Sequence, residues 1–165
     1  MTEQPAPNAP LICPEQKVEQ DWIDYNGHMN MAFYNVVFDR GVDHLFDLCG
    51  IGAEYAASGA GSCFTLEVHV TYLQELMLGD PIRVELQLLD YDSKRMHFFE
   101  QMYHARESYL AATAEQITMH VDMHTRRSAP FPPGALQHIE TFMSAHRGLQ
   151  RPPQVGHVSG IPRKT

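Results

Sequence analysis

The chain has 165 residues, of which 44% are hydrophobic and 19% charged, and its formal net charge is −8 at pH 7. This composition predicts one globular domain with a sizeable core rather than a disordered chain, and the acidic balance disfavours non-specific binding to nucleic acid. The apolar runs are far shorter than the ~20 residues of a membrane span, and residues 1–10 lack a signal-peptide pattern. Three cysteines without paired spacing predict neither a disulfide framework nor a zinc site. We therefore expect a cytoplasmic protein that does not bind membranes.

The first half of the chain predicts a polar loop followed by a long helix. Residues 1–13 begin with a proline-rich stretch and are expected to form a flexible arm, with a strand near residues 15–20 after it. From Asn30 to Cys49 apolar residues recur every three or four positions, which is typical of a helix with one buried face. Gly50 lies where a helix-terminating glycine is expected. The apolar stripe consists of Tyr34, Val37, Phe38, Val42, Leu45, Leu48 and Cys49.

The second half changes to the two-residue period of β-strands. Phe64, Leu66 and Val68 alternate on one side of a strand, as core residues do, which predicts that Glu67 lies on the other side. Strands joined by tight turns pair antiparallel. We therefore predict an α+β fold in which one antiparallel sheet wraps the long helix, within a domain spanning residues 14–148. The predicted elements are strands at 64–72, 82–88, 95–104 and 109–123, a helix at 135–146, and a flexible tail at 149–165.

The loop before the long helix is the strongest candidate for a functional site. Asp24, Asn26 and His28 place a carboxylate, an amide and an imidazole at every second position, and Asn30 stands where a helix cap is expected. A helix N-terminus carries partial positive charge and free N–H groups, which suits it to polarise a carbonyl and hold an oxyanion. The alternative interpretation is an ordinary turn with a helix cap, since Asn and Asp favour both places.

Three motifs, in this order, resemble the hotdog-fold thioesterases, in which an antiparallel sheet curls around a central helix. The resemblance covers about Val18 to Asp122. Within this superfamily, which includes 4-hydroxybenzoyl-CoA and fatty acyl thioesterases, the chain looks most like the small acyl-CoA thioesterases of carnitine and betaine breakdown. The motifs are Asp24-x-Asn26-x-His28-Met-Asn30-x3-Tyr34, the segment from Glu67 to Leu73 continuing to Gly79-Asp80, and Ala112 to Glu115 continuing to Val121-Asp122.

The resemblance implies hydrolysis of an acyl-CoA thioester to the free acid and coenzyme A, with no cofactor beyond the coenzyme A of the substrate. Asp24 would act as nucleophile or general base, Asn26 would orient the water or the carbonyl, and His28 would bind a carboxylate or share the proton transfer. Backbone N–H groups near His28 and Asn30 would hold the oxyanion. Glu67 matches the strand glutamate that related thioesterases place opposite the loop, with a solvent-facing glutamate as the alternative.

The resemblance also implies a homodimer or homotetramer with each active site between two subunits. Related hotdog proteins leave two other functions open. One is a dehydratase or hydratase acting on acyl thioesters, and the other is a non-catalytic acyl-CoA-binding protein.

A cationic acyl group such as a trimethylammonium would need aromatic faces and negative charge around it. Arg126 and Arg127 could meet the phosphates of coenzyme A as charge-assisted donors, or could simply be solvated. Histidines such as His120 and His124 would lie about 13 Å apart on a strand, so we predict no metal site. The other substrate-binding candidates, whose aromatic members have the alternative of ordinary core residues, are Trp22, Tyr25, Gly27, Asn30, Tyr34 and Phe64.

Overall fold

The computed structural model describes residues 5–161 and residue 163. Most of these residues belong to one long helix, one long-stranded sheet and a second helix near the end of the chain. The elements in chain order are β1 (Leu11–Ile12), β2 (Gln16–Lys17), a 3-10 turn (Gln20–Trp22), α1 (Met31–Leu48), α2 (Ala53–Ala57), β3 (Gly61–Tyr72), β4 (Pro81–Tyr91), β5 (Arg95–His104), β6 (Leu110–Asp122), β7 (Arg127–Ser128) and α3 (Pro133–His146).

The sheet is antiparallel and its order is β1-β4-β5-β6-β3, with β2 also paired to β4 and β7 to β6. Strands β4, β5 and β6 follow one another through tight turns, as the sequence predicts. Strand β3 pairs with β6 rather than with β4, so the turn near Gly79 ends a crossing connection and does not close a hairpin. Strand β3 therefore forms one edge of the sheet.

Helix α1 begins and ends where the sequence predicts. The Asn30 side chain caps it by accepting a hydrogen bond from the backbone N–H of Ala32 at 2.9 Å, and Gly50 follows the helix with a φ of +73°. The apolar stripe of α1 packs in the same core cluster as the inward side chains of β4, β5 and β6. None of the described helices is both long and apolar enough to cross a bilayer.

A glycine in the middle of α1 lets the helix approach the sheet closely. A Cβ atom at Gly41 would lie 2.7 Å from Oε1 of Glu100 and 3.3 Å from Cγ1 of Val84. Glu100 is fully buried on β5 and accepts a hydrogen bond from Nε2 of Gln116 at 2.6 Å. A helical glycine costs about 1 kcal/mol relative to alanine, and the close packing of α1 on β4 and β5 offsets this cost.

Strand β3 differs from its predicted pattern. Thr65 pairs with Thr118 and Glu67 with Ile117, so Leu66 is the extra residue of a β-bulge. Because the bulge reverses the alternation, Phe64 and Glu67 lie on the same, outer face of the sheet. Val68 lies on the face toward α1. The expectation that Phe64, Leu66 and Val68 form core on one side is therefore wrong, and these side chains are 38%, 52% and 43% exposed.

The two ends of the chain pack more closely against the domain than the sequence predicts. Residues 1–4 of the expected N-terminal arm lie outside the described residues, whereas Leu11 is buried and pairs with Leu86 of β4. In the predicted tail, the backbone N–H of Gly156 donates to Oε2 of Glu115 at 2.7 Å, and the His157 ring lies 5.4 Å from that of His69. Residues 162, 164 and 165 of that tail lie outside the described residues.

The buried carboxyl group of Glu100 generates a prediction for stability against pH. Burial raises the pKa of Glu100 well above its usual value. A carboxyl whose pKa is raised in the folded state favours folding at low pH, and this contribution is lost as pH rises above the unfolded value of about 4.3. We therefore expect the free energy of unfolding of Glu100→Gln to increase relative to that of the natural chain as pH rises. The expected difference is roughly 1–3 kcal/mol, which is the cost of a poorly satisfied buried polar group.

Urea unfolding at pH 4.5 and pH 7.5 measures this difference. The exposed Glu107, changed to Gln, is the matched control and should show no such dependence. Parallel stability curves for the natural chain and Glu100→Gln would contradict the prediction.

Candidate active site

The loop that precedes α1 is a tight turn closed by Asp24. The backbone N–H of Asp24 donates to the carbonyl of His28 at 3.1 Å, and the carbonyl of Asp24 accepts from the N–H of Gly27 at 3.0 Å. Gly27 has a φ of +84°, a left-handed conformation that favours glycine. Oδ1 of Asp24 accepts from the backbone N–H of Asn26 at 2.8 Å. The turn exposes the side chain of Asn26 and leaves Tyr25 97% exposed.

The other oxygen of the Asp24 carboxylate contacts the start of the helix. Oδ2 accepts a hydrogen bond from Nδ2 of Asn30 at 3.3 Å, while Oδ1 of Asn30 caps the helix. The carboxylate is half-buried in this arrangement. The interpretation as a turn with a helix cap is therefore correct as a description of local structure. The same contacts hold a carboxylate beside a helix N-terminus, whose free N–H groups can stabilise developing negative charge.

The backbone N–H groups at the helix start are not all free. The N–H of Asn30 donates to the carbonyl of Trp22 at 2.9 Å, and that of Met29 donates to Leu76 at 2.8 Å. The N–H of Asn30 itself is therefore engaged, and the expectation of oxyanion donors near His28 and Asn30 stays a prediction. Within the described residues, the N–H groups of His28 and Met31 form no hydrogen bond. Met31 is the first residue of α1, so its N–H points out of the positive end of the helix.

A cavity of about 310 Å³ opens beside the helix start. This volume lies at the lower end of the ~300–1,000 Å³ range of small-molecule sites. The His28 ring borders it, and Nδ1 of His28 lies 3.3 Å from the carbonyl oxygen of Met29. The lining residues are His28, Met29, Met31, Tyr34, Tyr72, Leu73, Gln74 and Glu75.

Trp22, predicted to bind substrate, lies in the core. Its ring stacks on Phe33 with centroids 5.5 Å apart, and the guanidinium of Arg40 lies 5.2 Å from its centre. Trp22 positions the helix start through its carbonyl and does not line the cavity.

Three predicted substrate-binding residues lie at the opposite end of β3 from the cavity. Arg126 lies 5.6 Å from the centre of the Phe64 ring, and Arg127 starts β7, which pairs with Asp122 beside the first residues of β3. Phe64 and Tyr72 are eight residues apart on this strand, about 26 Å at ~3.3 Å per residue. One chain therefore does not bring these residues to Asp24.

Glu67 also lies apart from the cavity. It faces outward, where it borders a separate cavity of about 200 Å³ with His69, Glu115 and His157. It pairs with Ile117, on the face opposite to that of Val68. The predicted catalytic role of Glu67 stays a prediction.

Sequence reasoning did not single out Tyr72, Glu75 or Met31. Tyr72 falls within the predicted strand 64–72 and within the second family motif, and Glu75 lies in the segment that follows. The alternation of residues in a strand does not reveal which part of a helix the last residue of that strand contacts. In the structure the Tyr72 hydroxyl donates to the carbonyl of Met31 at 3.2 Å, which brings the end of β3 to the helix start.

The chain matches known thioesterases over most of its length. Residues 18–139 match the model of the thioesterase-like superfamily. A betainyl-CoA thioesterase from Pseudomonas aeruginosa is 38% identical over 92% of this chain and 96% of its own length. An L-carnitine dehydrogenase/betainyl-CoA thioesterase from Rhizobium meliloti is 35% identical over 94% of this chain, which corresponds to 31% of that longer protein.

Solved structures agree with this assignment. A Staphylococcus aureus protein in complex with CoA has 35% identity and a TM-score of 0.86, covering 93% of this chain and 98% of its own. A 1,4-dihydroxy-2-naphthoyl-CoA thioesterase from Synechocystis has 14% identity and a TM-score of 0.70, covering 78% and 96%. The second likeness concerns the fold alone.

The chain belongs to the thioesterase-like superfamily, and its fold is the hotdog fold that the sequence motifs predict. Its activity is that of a thioester hydrolase. Both predictions are confirmed. Across the described residues, no group of three or more His, Cys, Asp or Glu side chains is arranged to hold a metal ion.

Proposed function

We propose that this enzyme hydrolyses betainyl-CoA, or an acyl-CoA of similar size and charge, to the free acid and coenzyme A. The observation that carries the proposal is the half-buried Asp24 carboxylate, which accepts a hydrogen bond from Asn30, the cap of α1. The next residue, Met31, has a free N–H and lines the cavity, whereas Asp24 itself is not among the lining residues. The relatives that are named as betainyl-CoA thioesterases support the choice of acyl group. The Rhizobium meliloti relative, named also as an L-carnitine dehydrogenase, supports a role in carnitine breakdown.

In the proposed reaction the thioester carbonyl lies at the start of α1. Asp24 takes a proton from water as the water oxygen attacks the carbonyl carbon, or attacks this carbon itself and is released by water in a second step. The oxyanion is held by the N–H of Met31 and that of His28. When the tetrahedral intermediate collapses, the C–S bond breaks and coenzyme A leaves as a thiolate, which needs little help from an acid. His28 lies at the cavity wall, where it can share the proton transfer.

Asn26 and Gly27 have supporting roles in this proposal. Gly27 permits the left-handed turn that directs Asp24 toward the helix. Asn26 holds Oδ1 of Asp24 through its backbone N–H, so its exposed amide is free to meet water or substrate. Tyr25 is solvent-exposed on the same turn, and contact with the coenzyme A part of the substrate is its proposed role.

We also propose that two chains associate through the free edge of β3. This edge leaves backbone N–H and C=O groups unpaired and exposes apolar side chains, a combination that favours pairing with another strand. A two-fold pairing centred near Val68 reverses the strand, so the start of β3 in one copy meets Tyr72 of the other. Arg126 and Arg127 of a second copy then approach the helix start and supply donors for coenzyme A phosphates.

A cytoplasmic location fits the proposal, because all three cysteines of the chain are free. Unpaired thiols are typical of proteins kept in a reducing compartment.

A panel of purified acyl-CoAs with free thiol as the readout tests the substrate. We expect hydrolysis of betainyl-CoA above that of acetyl-CoA and palmitoyl-CoA, and a loss of at least ~100-fold in kcat for Asp24→Asn, as is typical when a general base is removed. Circular dichroism and urea unfolding check that this variant is folded. The exposed Asp21, changed to Asn, is the matched control. A preference for long fatty acyl chains would defeat the substrate proposal, and full activity of Asp24→Asn would defeat the mechanism.

Replacing Met31 by proline tests the oxyanion donor without breaking the helix. Proline is favoured at the first helical position, and Asn30 has the extended conformation, φ −65° and ψ 141°, that a residue before proline adopts. The change removes the N–H group together with the methionine side chain, and loss of an oxyanion donor should lower kcat about 100- to 1,000-fold while the helix remains. Met31→Ala, which keeps the N–H but shortens the side chain, separates the two effects. If Met31→Pro and Met31→Ala were equally active, the N–H would have no catalytic role.

Val68→Lys tests association through β3. A lysine on an edge strand disfavours pairing of that edge, so sedimentation should show a dimer or larger assembly for the natural chain and a monomer with strongly reduced activity for the variant. Ile12→Lys, an exposed residue on the short strand at the other edge, is the control and should leave both assembly and activity unchanged. A natural chain that is monomeric and active would contradict the proposal.

A further inference from the structure

The cavity at the helix start has an aromatic wall that the hydrolytic chemistry does not use. Tyr34 from α1 and Tyr72 from the end of β3 meet there with ring centroids 5.2 Å apart and ring planes at 87°. Two rings at right angles form two sides of a box. The sides of such a box can offer the π-face of one ring and the edge of the other.

Backbone carbonyls hold both rings in place. The Tyr72 hydroxyl donates to the carbonyl of Met31 at 3.2 Å, and the Tyr34 hydroxyl donates to that of Gln74 at 3.4 Å. Burial raises the pKa of Tyr34 to about 12, so this phenol is neutral throughout the physiological range. A wall fixed before the ligand arrives loses little entropy on binding.

The charge at the cavity is negative on the side of the tyrosines. Glu75 is the one carboxylate among the lining residues, and His28 is the one other titratable charge apart from the phenols; the lining includes no Lys or Arg. The segment of Glu75 is anchored because its backbone carbonyl accepts from the hydroxyl of Tyr109 at 3.1 Å. The N-terminus of α1 repels a cation by itself, so a cation bound here needs the opposing charge and the ring faces.

We propose that Tyr72, together with Tyr34 and Glu75, recognises a quaternary ammonium group on the acyl chain and determines the specificity of the enzyme. The proposal rests on the proposed thioesterase function, since it presumes a thioester carbonyl at the helix start. In a betaine ester the ammonium nitrogen is separated from the thioester carbonyl carbon by one methylene. Tyr72 contacts the carbonyl of Met31, the residue whose N–H faces the oxyanion, so the ring lies where such a short acyl group ends.

Recognition of this kind is chemically distinct from a merely apolar pocket. A methylated ammonium has no N–H donor, so hydrogen bonds cannot select it, whereas a ring face within about 6 Å attracts it by its quadrupole. Leu73 and Met29 would accommodate a neutral branched chain equally well. The experiment therefore compares two acyl groups of the same shape that differ in charge.

The measured quantity is the ratio of kcat/KM for betainyl-CoA to kcat/KM for 3,3-dimethylbutyryl-CoA, its neutral isostere. We expect the ratio to exceed 1 for the natural enzyme and to fall roughly 3- to 30-fold in Tyr72→Leu, which removes the ring. Tyr72→Phe, which keeps the ring and loses the hydroxyl, should keep most of the preference. Glu75→Gln should lower the ratio by a smaller factor, and more at low ionic strength because the group is exposed.

Two matched controls exclude general effects of the substitutions. Tyr103→Leu removes a ring on β5 outside the site, and Glu107→Gln removes an exposed charge; both should keep the natural ratio. An unchanged ratio in Tyr72→Leu, with the variant folded, would overturn the proposal.

A binding measurement separates failure of this proposal from failure of the proposed substrate. If the natural enzyme hydrolyses other acyl-CoAs but not betainyl-CoA, the substrate proposal fails. Calorimetry then measures the binding of glycine betaine and of 3,3-dimethylbutyrate, and so tests whether Tyr34 and Tyr72 recognise the ammonium group. Binding of glycine betaine that is lost in Tyr72→Leu and kept in Tyr72→Phe would support it, and no binding by the natural enzyme would overturn it.

Discussion

The close seating of α1 on the sheet is the constraint on which the remaining structure depends. Gly41 brings the helix against β4 and β5, where Glu100 and Val84 occupy the space that any side chain would need. A larger residue would lift the helix or displace the carboxyl of Glu100. Packing of this kind fixes a helix to within a fraction of an ångström because protein interiors are nearly free of voids.

That constraint places the helix start, and the helix start organises the candidate site. Two hydrogen bonds fix the segment before α1 to the core. The N–H of Asn30 donates to the carbonyl of Trp22, and the N–H of Met29 donates to the carbonyl of Leu76. Asp24 then contacts the cap, and the end of β3 reaches the first residue of α1 through Tyr72. Each group at the site is thus held by an element that is itself buried or hydrogen-bonded, which is the condition for a site that needs no rearrangement during reaction.

Two kinds of signal in the sequence were sufficient for most of the fold. The apolar stripe of α1 and the alternation of β4, β5 and β6 report which faces are buried, and the Asn30 and Gly50 positions report where the long helix begins and ends. The family motifs indicated that the loop from Asp24 to His28 resembles the active-site loop of thioesterases. Short elements such as β1 and α2 escaped prediction because two to five residues carry no readable period.

Periodicity also cannot say what an apolar face packs against. In β3 the pattern predicts that Leu66 and Val68 belong to the core, although in one chain both are about half exposed on an edge strand. The bulge at Leu66 leaves no signal in the alternation of the residues around it. Contacts between distant parts of the chain, such as that of Tyr72 with Met31, arise from packing and have no counterpart in local sequence.

The bulge in β3 has a consequence for how this strand tolerates changes in length. Because Leu66 is the extra residue, removing it alone would let residues 61–65 resume strict alternation with the rest of the strand. Phe64 would stay on the outer face and Thr65 on the inner one, because Thr65 and Glu67 already pair with neighbouring residues of β6. A one-residue gain or loss at a regular position of β3 would instead turn one part of the strand over to the opposite face, so Leu66 marks the place where this strand can lose a residue without inversion.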